Sequence, residues 1–288
     1  LPENSQVLIP AMTYVATANA VIAAGLQPVC VDIDQYWLMD YDRLKVYLDK
    51  MKAISAVVVV DLYGQGVDLR KYKTLCDHHK VKLIVDAAQS FEIKYDSYHQ
   101  IDYCDSLALS FNPLKNLGAM GNAGAVVSKN YTVEQLKAWT HQGKIKDDIV
   151  NPGNNLRIDA LQAAILTVKY DRFDDNMQRK SQISWYYKTE LEGRVLMPER
   201  VMYATPTNYV FVVAPAAVGC TDVVVVVVVF VFVVVVVVVV VAVVVLLLLL
   251  LLLLLLLLLL LWFCCCCCCC CCCCCCCCCF CCCCCCCC

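Results

Sequence analysis

Residues 82–86 read KLIVD, a short apolar run that stops at a carboxylate. A second run, AVVVV at 56–60, is apolar at every position and is followed by Asp61. Continuous apolar runs of this length are typical of strands buried on both faces, because a half-exposed strand alternates apolar with polar residues. The two runs therefore predict interior strands of a parallel sheet.

Further strand-like runs alternate with helical patterns along the chain. This alternation predicts an α/β fold with a mostly parallel sheet. The other strands are expected at 7–9, 28–32, 106–111 and 123–127. Helices are expected from a Thr13 cap to Ala24, from an Asp40 cap through Leu48, over 69–75, over 133–139, and as one long helix over 158–191.

The segments that directly follow the strands are the first places to look for a site. In open α/β sheets, ligands bind at the carboxyl ends of the strands. Four such segments carry polar or aromatic side chains: PAMTY at 10–14, DLYGQ at 61–65, DAAQ at 86–89 and NPLK at 112–115.

The sequence changes character at residue 223. Residues 1–222 carry every charged residue and a net charge of −2, which gives no reason to expect nucleic-acid binding. Blocks of Val, Leu and Cys follow, with 24 of the 28 cysteines. We predict a large domain over 1–180, a helix end and the start of a small α/β domain over 181–222, and a low-complexity tail over 223–288.

The tail has two interpretations. Its 39 apolar residues at 223–261 are long enough to cross a bilayer. They lack Lys or Arg flanks and include 16 consecutive leucines, whereas membrane spans mix several apolar residue types. We interpret the tail as non-native, with a membrane anchor as the alternative. The Leu-Pro-Glu start has no secretory pattern and indicates a fragment that begins inside a cytoplasmic domain.

Two charged side chains near strand ends could carry chemistry. Asp86 ends a buried strand, where a carboxylate is costly unless a cation or donor meets it. The alternative is an aspartate that caps a turn. Lys115 lies in SFNPLKNLGAMGNAG at 110–124. If it points inward, burial lowers its pKa and gives a nucleophilic amine; the alternative is a solvated loop lysine.

Other kinds of site have less support. The glycines at 118, 121 and 124 precede a strand instead of opening a helix, so they do not form a dinucleotide-binding GxGxxG motif. Tyr14 could stack on a flat ligand or pack in the core. The four cysteines before the tail have no CxxC spacing, and no histidine pairs with a nucleophile, so we expect no metal site and no hydrolase triad.

Several stretches, in one order, resemble the DegT/DnrJ/EryC1/StrS family of sugar aminotransferases, which depend on pyridoxal 5'-phosphate (PLP). The resemblance covers roughly residues 7–190 and implies the aspartate-aminotransferase fold, with a three-layer α/β/α large domain. Its most specific parts are the SF-x-P-x-K-N-L-G and D-A-A-Q signatures. The matching stretches are IPAMTYVATANAVIAAG, PVCVDID, DLYGQGVDL, LIVDAAQS, SFNPLKNLGAMGNAGAVVS and NNLRIDALQAAIL.

The resemblance implies catalytic roles for two of these residues. Lys115 would bind PLP as a Schiff base and then carry a proton between substrate and cofactor carbons. Asp86 would keep the pyridine nitrogen protonated, which makes the ring an electron sink. Gln89 would bind the 3-oxygen of the cofactor.

The resemblance also implies three further cofactor contacts and a partner. Ser110 would hold the phosphate, and Tyr14 takes the place of the ring-stacking aromatic. Asn155 would reach the cofactor phosphate of a neighbouring subunit, which implies a homodimer with shared active sites. Leu156 stands where the family has Ser, and this departure weakens the assignment of Asn155.

The implied reaction moves an amino group, with glutamate as the expected donor, onto a nucleotide-linked keto-sugar. The family's upstream phosphate-binding turn and most of its small domain have no counterpart in the chain. A catalytically incompetent fragment is therefore one alternative. A PLP- or PMP-dependent sugar dehydratase (PMP is pyridoxamine 5'-phosphate) is another, although such relatives carry His in place of the lysine. The sugar, the nucleotide and the carbon that is aminated are not predicted.

Overall fold

The structure is a computed structural model that describes residues 1–215 and 227–229. These residues belong to one compact unit, Leu1–Val229. The helices are α1 (Val15–Ala23), α2 (Tyr41–Lys50), α3 (Leu69–His78), α4 (Val133–Thr140), α5 (Ala160–Tyr170) and α6 (Phe173–Leu191). The strands are β1 (Gln6–Pro10), β2 (Gln27–Val31), β3 (Ile54–Val60), β4 (Lys82–Asp86), β5 (Lys94–Tyr95), β6 (Ser106–Ser110), β7 (Gly124–Ser128), β8 (Lys144–Ile145), β9 (Asp148–Ile149), β10 (Val195–Leu196), β11 (Ala204–Thr205), β12 (Phe211–Pro215) and β13 (Val227–Val229).

A six-stranded sheet forms the centre, in the order β2-β1-β3-β4-β6-β7. All neighbours pair in parallel except β6 and β7, which are antiparallel. The predicted α/β fold with a mostly parallel sheet is confirmed. Asp86 pairs in register with Val60 of β3 and Ala108 of β6, so the carboxyl ends of these three strands lie along one edge.

The apolar runs place buried side chains on both faces of the sheet, as their continuous pattern predicts. In β3, Val57 and Val59 pack in one buried cluster with residues of α2 and α3, while Ala56 and Val58 pack in a second cluster with α1. Helices therefore cover the two faces, which gives the three layers. Burying a valine side chain contributes roughly 1.5–3 kcal/mol, so these strands supply a large part of the core energy.

Of the two helix caps predicted from the sequence, one is confirmed and one is wrong. The Asp40 side chain accepts a hydrogen bond from the N–H of Arg43 and caps α2, as predicted. The predicted Thr13 cap of α1 is wrong, because the capping position falls at Tyr14, whose side chain makes no capping bond. Thr13 Oγ1 instead bonds Thr17 Oγ1 at 2.8 Å.

The single long helix predicted over 158–191 is also wrong. The structure has two helices, α5 and α6, and the chain leaves helical geometry at Arg172, where φ is −111° and ψ is 12°. Phe173 begins α6 and is buried, with its ring stacked on that of Tyr170 at a centroid distance of 6.0 Å. Phe173 also packs against the ring of Phe91 at a centroid distance of 5.4 Å, and this tertiary contact outweighs the local helical pattern.

The C-terminal part of the described chain begins a second sheet. Strands β10, β12 and β13 pair antiparallel in that order. The predicted tail lies outside the described residues apart from β13, so its two interpretations stay predictions, as does the boundary at 180, which falls within α6. Within the described part of the chain, no helix combines the length and apolarity that crossing a bilayer requires.

Candidate active site

Loops from neighbouring strands meet at the carboxyl edge of the sheet. Asp86 ends β4 and Gln89 lies in the loop that follows, while Ser110 ends β6 and Lys115 lies in the loop that follows. Because β4 and β6 are adjacent and parallel, their carboxyl ends lie side by side. The sheet thus brings together four of the six predicted site residues.

Asp86 is held by one donor on each carboxylate oxygen. Thr17 donates its hydroxyl to Oδ2 at 2.8 Å, and the N–H of Ala88 donates to Oδ1 at 3.2 Å. An ionised carboxylate can accept about four hydrogen bonds, so Asp86 keeps capacity for a further donor. This geometry differs from simple turn capping, because Thr17 reaches the carboxylate from α1, 69 residues away.

Lys115 is half-buried and lies near Asp86. Burial lowers the pKa of its amine, while the Asp86 charge partly opposes that shift. The amine lies 4.6 Å from the ring centroid of Tyr209. Within residues 1–215 the amine makes no hydrogen bond, so a lysine with a raised fraction of neutral amine faces a carboxylate and an aromatic ring.

The loop that carries Lys115 is a tight, hydrogen-bonded turn. The N–H of Lys115 donates to the Asn112 carbonyl at 2.8 Å, and the Asn112 side chain accepts from the N–H of Leu114 at 3.1 Å. Gly118 is required for the closure, because a Cβ there would lie 2.5 Å from the Pro113 carbonyl oxygen. The backbone cannot yield to such a contact without moving the lysine.

Gln89 joins the loops after β3 and β4. Its side-chain oxygen accepts from the N–H of Tyr63 at 2.6 Å, and its backbone carbonyl accepts from the Thr207 hydroxyl at 2.8 Å. Tyr63 has a left-handed φ of 60°, a strained conformation for an aromatic residue. Ser110 keeps its hydroxyl proton free to donate, since its Oγ accepts from the N–H of Asn112 at 3.4 Å.

The other two predicted residues lie on the surface. Tyr14 is 69% exposed, so the alternative of core packing is wrong. Asn155 is also exposed, and its side-chain oxygen accepts a hydrogen bond from Arg157 Nε at 3.4 Å. No contact within residues 1–215 joins Asn155 to Asp86 or Lys115 of the same chain.

Sequence reasoning missed three contributors to the site. Thr17, which binds Asp86, lies inside α1 instead of directly after a strand. Tyr209 covers the Lys115 amine from a segment about 90 residues later in the chain. Lys180 of α6 donates to the Asn116 side chain at 2.5 Å, and burial lowers the pKa of its amine. No local pattern in the sequence marks these three residues.

Asp61, directly after β3, is fully buried beneath this edge. Its Oδ2 accepts a hydrogen bond from the Ser90 hydroxyl at 2.6 Å and another from Gln100 Nε2. Its N–H donates to the backbone carbonyl of Asp86 at 3.1 Å. Burial raises the pKa of Asp61 to about 7; Ser90 and Gln100 lower it, and the nearby Asp86 charge raises it.

Comparison with known proteins shows that the chain shares the fold of sugar aminotransferases. The S. venezuelae DesV crystal structure, solved in complex with a ketimine intermediate, superposes with a TM-score of 0.69 at 28% identity, over 75% of this chain and 59% of that one. The structure of ntda from Bacillus subtilis with bound cofactor PMP gives a TM-score of 0.66 at 28% identity, over 75% and 50% of the two chains.

The family model of the DegT/DnrJ/EryC1/StrS aminotransferases matches residues 2–220, and the chain belongs to this family. A curated relative, the dTDP-3-amino-3,6-dideoxy-alpha-D-galactopyranose transaminase of Aneurinibacillus thermoaerophilus, is 35% identical over 194 residues. That match covers 66% of this chain and 53% of the relative. The chain spans only about half the length of the curated relatives it matches.

The Asp61 geometry predicts a pH-dependent stability. Since the folded pKa is about 7 and the ordinary value is 3.8, the folded state binds the proton more tightly. The free energy of unfolding should therefore fall as pH rises from about 4 to 7, by up to about 4 kcal/mol. Urea unfolding at several pH values should show that D61N lacks this fall.

Asp105 supplies a control of opposite sign. It is buried, which favours a raised pKa, but donors from Leu83, Asn130 and Lys82 outweigh burial and lower the pKa to about 2. Its contribution to stability is present above pH 4 and lost on acidification toward pH 2. D105N should therefore lower stability above pH 4 and remove the fall toward pH 2, without changing the slope between pH 4 and 7. Parallel wild-type and D61N curves between pH 4 and 7 would contradict the assignment of Asp61.

Proposed function

We propose that the protein is a PLP-dependent aminotransferase that transfers an amino group from glutamate to a nucleotide-linked keto-sugar. The observation that carries the proposal is the half-buried Lys115 amine, whose pKa is lowered and which faces Asp86 and Tyr209. Family membership supports the reaction type, and the names of relatives support the substrate class. Such an enzyme is expected in the cytoplasm.

The described residues fit the cofactor. Asp86 has unused acceptor capacity for a protonated pyridine nitrogen, because its oxygens accept one hydrogen bond each. Ser110 has a hydroxyl proton for the phosphate, Gln89 lies on the same edge for the 3-oxygen, and the exposed Tyr14 ring is free to stack. When bound, PLP withdraws electrons from the carbon that carries the transferred amino group.

Lys115 and Asp86 have distinct roles in this proposal. The lowered pKa of Lys115 increases the share of neutral amine near pH 7, which is the form that attacks a carbonyl and accepts a proton. Asp86 would accept a hydrogen bond from the protonated pyridine nitrogen, while Thr17 fixes the direction of its Oδ2. Tyr209 covers the amine and limits its contact with water.

A basic cleft supports a diphosphate-containing substrate. The cleft has a volume of about 490 Å³, within the range of small-molecule sites. One carboxylate, Glu134, faces four cationic side chains there: Lys137, Lys144, Lys146 and Arg157. No salt bridge within residues 1–215 engages these four cations. The neighbouring Asp147 and Asp148 are exposed and do not line the cleft.

The partner in this proposal is a second copy of the chain. Helix α5 is largely apolar, yet none of its side chains is buried. Its surface neighbours Asn155, the residue predicted to reach the cofactor of the other subunit. Large exposed apolar residues on this surface are Leu156, Ile158, Leu161 and Val168. Apolar patches of this kind mark protein–protein interfaces in soluble proteins.

The lysine assignment predicts a covalent adduct. Purified protein with added PLP should show an absorbance band of lysine-bound cofactor, and borohydride should fix the label on Lys115. Lys115→Ala should abolish the band and lower transamination by about 10²–10⁴-fold. Lys129→Ala, an exposed lysine after β7, should leave both unchanged. Peptide mass spectrometry that finds the label elsewhere would contradict the assignment.

The basic cleft predicts charge-dependent binding of nucleoside diphosphates. Calorimetric titration with UDP and dTDP should show that the double variant K144Q/K146Q binds about tenfold more weakly, and that added salt weakens wild-type binding. K45Q/K50Q removes two positive charges from exposed positions on α2 and should bind like the wild type. Equal losses in both double variants would refute a local diphosphate site.

The dimer predicts a specific response to charge on α5. Sedimentation velocity should show a dimer for the wild type and a monomer for L161E, because an unpaired buried carboxylate is costly in an interface. V46E places the same charge on an exposed apolar position of α2 and should remain dimeric. A monomeric wild type at micromolar concentration would exclude this partner.

A further inference from the structure

Asp61 is a buried carboxyl group that the proposed reaction leaves without a role. The side chain is fully buried, and it forms no salt bridge with a described residue. One oxygen, Oδ2, receives both side-chain donors, Ser90 and Gln100. Its other oxygen makes no hydrogen bond of standard geometry within residues 1–215. A group this costly to bury needs a compensating function or contact.

Two contacts of Asp61, one through Ser90 and one through its own N–H, reach the loop 86–90. Ser90 closes this loop, since its N–H donates to the Ala87 carbonyl at 3.1 Å. Gln100 Nε2 also donates to Ser90 Oγ at 3.2 Å, so Asp61, Ser90 and Gln100 form a closed triangle of hydrogen bonds. The N–H of Asp61 binds the other end of the loop, at the Asp86 carbonyl.

This triangle lies directly beneath residues of the candidate site. Gln89 precedes Ser90 and accepts from the N–H of Tyr63, which belongs to the turn that Asp61 begins. Asp61 therefore binds both ends of the loop that carries Asp86 and Gln89. Gly66 permits the close packing, because a Cβ there would lie 3.0 Å from Asp61 Oδ1.

We propose that Asp61 is a positioning residue whose carboxyl group, through Ser90, holds the loop 86–90 so that Asp86 and Gln89 are preorganised for the cofactor. Asp61 does not touch the cofactor itself. A released loop would let Asp86 and Gln89 sample other positions, and each productive binding event would then include the cost of ordering them. The proposal for the loop is independent of catalysis, while its consequence for PLP rests on the proposed function.

The first test uses the protein without cofactor. Hydrogen–deuterium exchange should rise about tenfold for amides of residues 87–93 in D61A and in S90A, because one lost buried hydrogen bond is worth about 1.4 kcal/mol. Exchange of the core strand β3 serves as the internal reference for global destabilisation. D61N keeps an oxygen acceptor and should restore protection of the loop.

The effects of the two variants should not multiply, since both remove the same contact. D61A/S90A should exchange no faster than the faster single variant. D105A is the matched control, because Asp105 is a buried aspartate at the opposite edge of the sheet, where it binds the N–H of Leu83. It should leave the exchange of 87–93 unchanged relative to β3.

The second test measures cofactor affinity by absorbance titration with PLP. D61A and S90A should weaken binding by about tenfold, and D105A should not. Unchanged loop exchange in S90A, a near-isosteric variant, would overturn the proposal even if D61A fails to fold. If wild-type protein forms no lysine-bound PLP but the exchange results hold, the proposed function fails and the positioning role of Asp61 stands.

Discussion

The hydrogen bond between Thr17 and Asp86 connects the fold to its candidate chemistry. A carboxylate at the end of a buried strand is stable there only if donors replace water. Thr17 and the Ala88 amide are those donors, and they come from α1 and from the loop after β4. The bond requires α1 to pack on β1, β1 to pair with β3, and β3 to pair with β4. The order of strands in the sheet thus determines the direction of the Asp86 side chain.

Burial acts on three charged groups at this edge in different ways. Lys115 loses solvation and its pKa falls, Asp86 keeps two donors, and Asp61 shares one oxygen between two donors while its pKa rises. The same low-dielectric surroundings therefore favour the neutral amine of Lys115 and the protonated acid of Asp61, while hydrogen bonds fix the position of the Asp86 carboxyl group. Separate titration of neighbouring groups is a common property of sites that transfer protons.

The sequence predicted what depends on local pattern. Apolar runs located the strands, Asp40 located a cap, and the strand-end rule pointed to Asp86, Gln89 and Lys115, while Ser110 came from the family resemblance. Prediction from the sequence failed where packing between distant residues determines the structure. The break before Phe173 has no Pro or Gly that predicts it, and the Phe173 ring packs against Phe91, 82 residues earlier in the chain. Thr17, Tyr209 and Lys180 reach the site only through tertiary structure, so no local spacing could reveal them.

Helix α6 gives the lysine loop a mechanical link to the rest of the chain. Its 19 residues form a rod about 28 Å long. Lys180 near its middle binds Asn116, and Ser181 binds the side chain of Asn208, just before Tyr209 and β12. A stiff helix transmits displacement instead of absorbing it. Any shift of the strands that follow α6 therefore moves Asn116, the neighbour of Lys115, together with Tyr209, which covers the Lys115 amine.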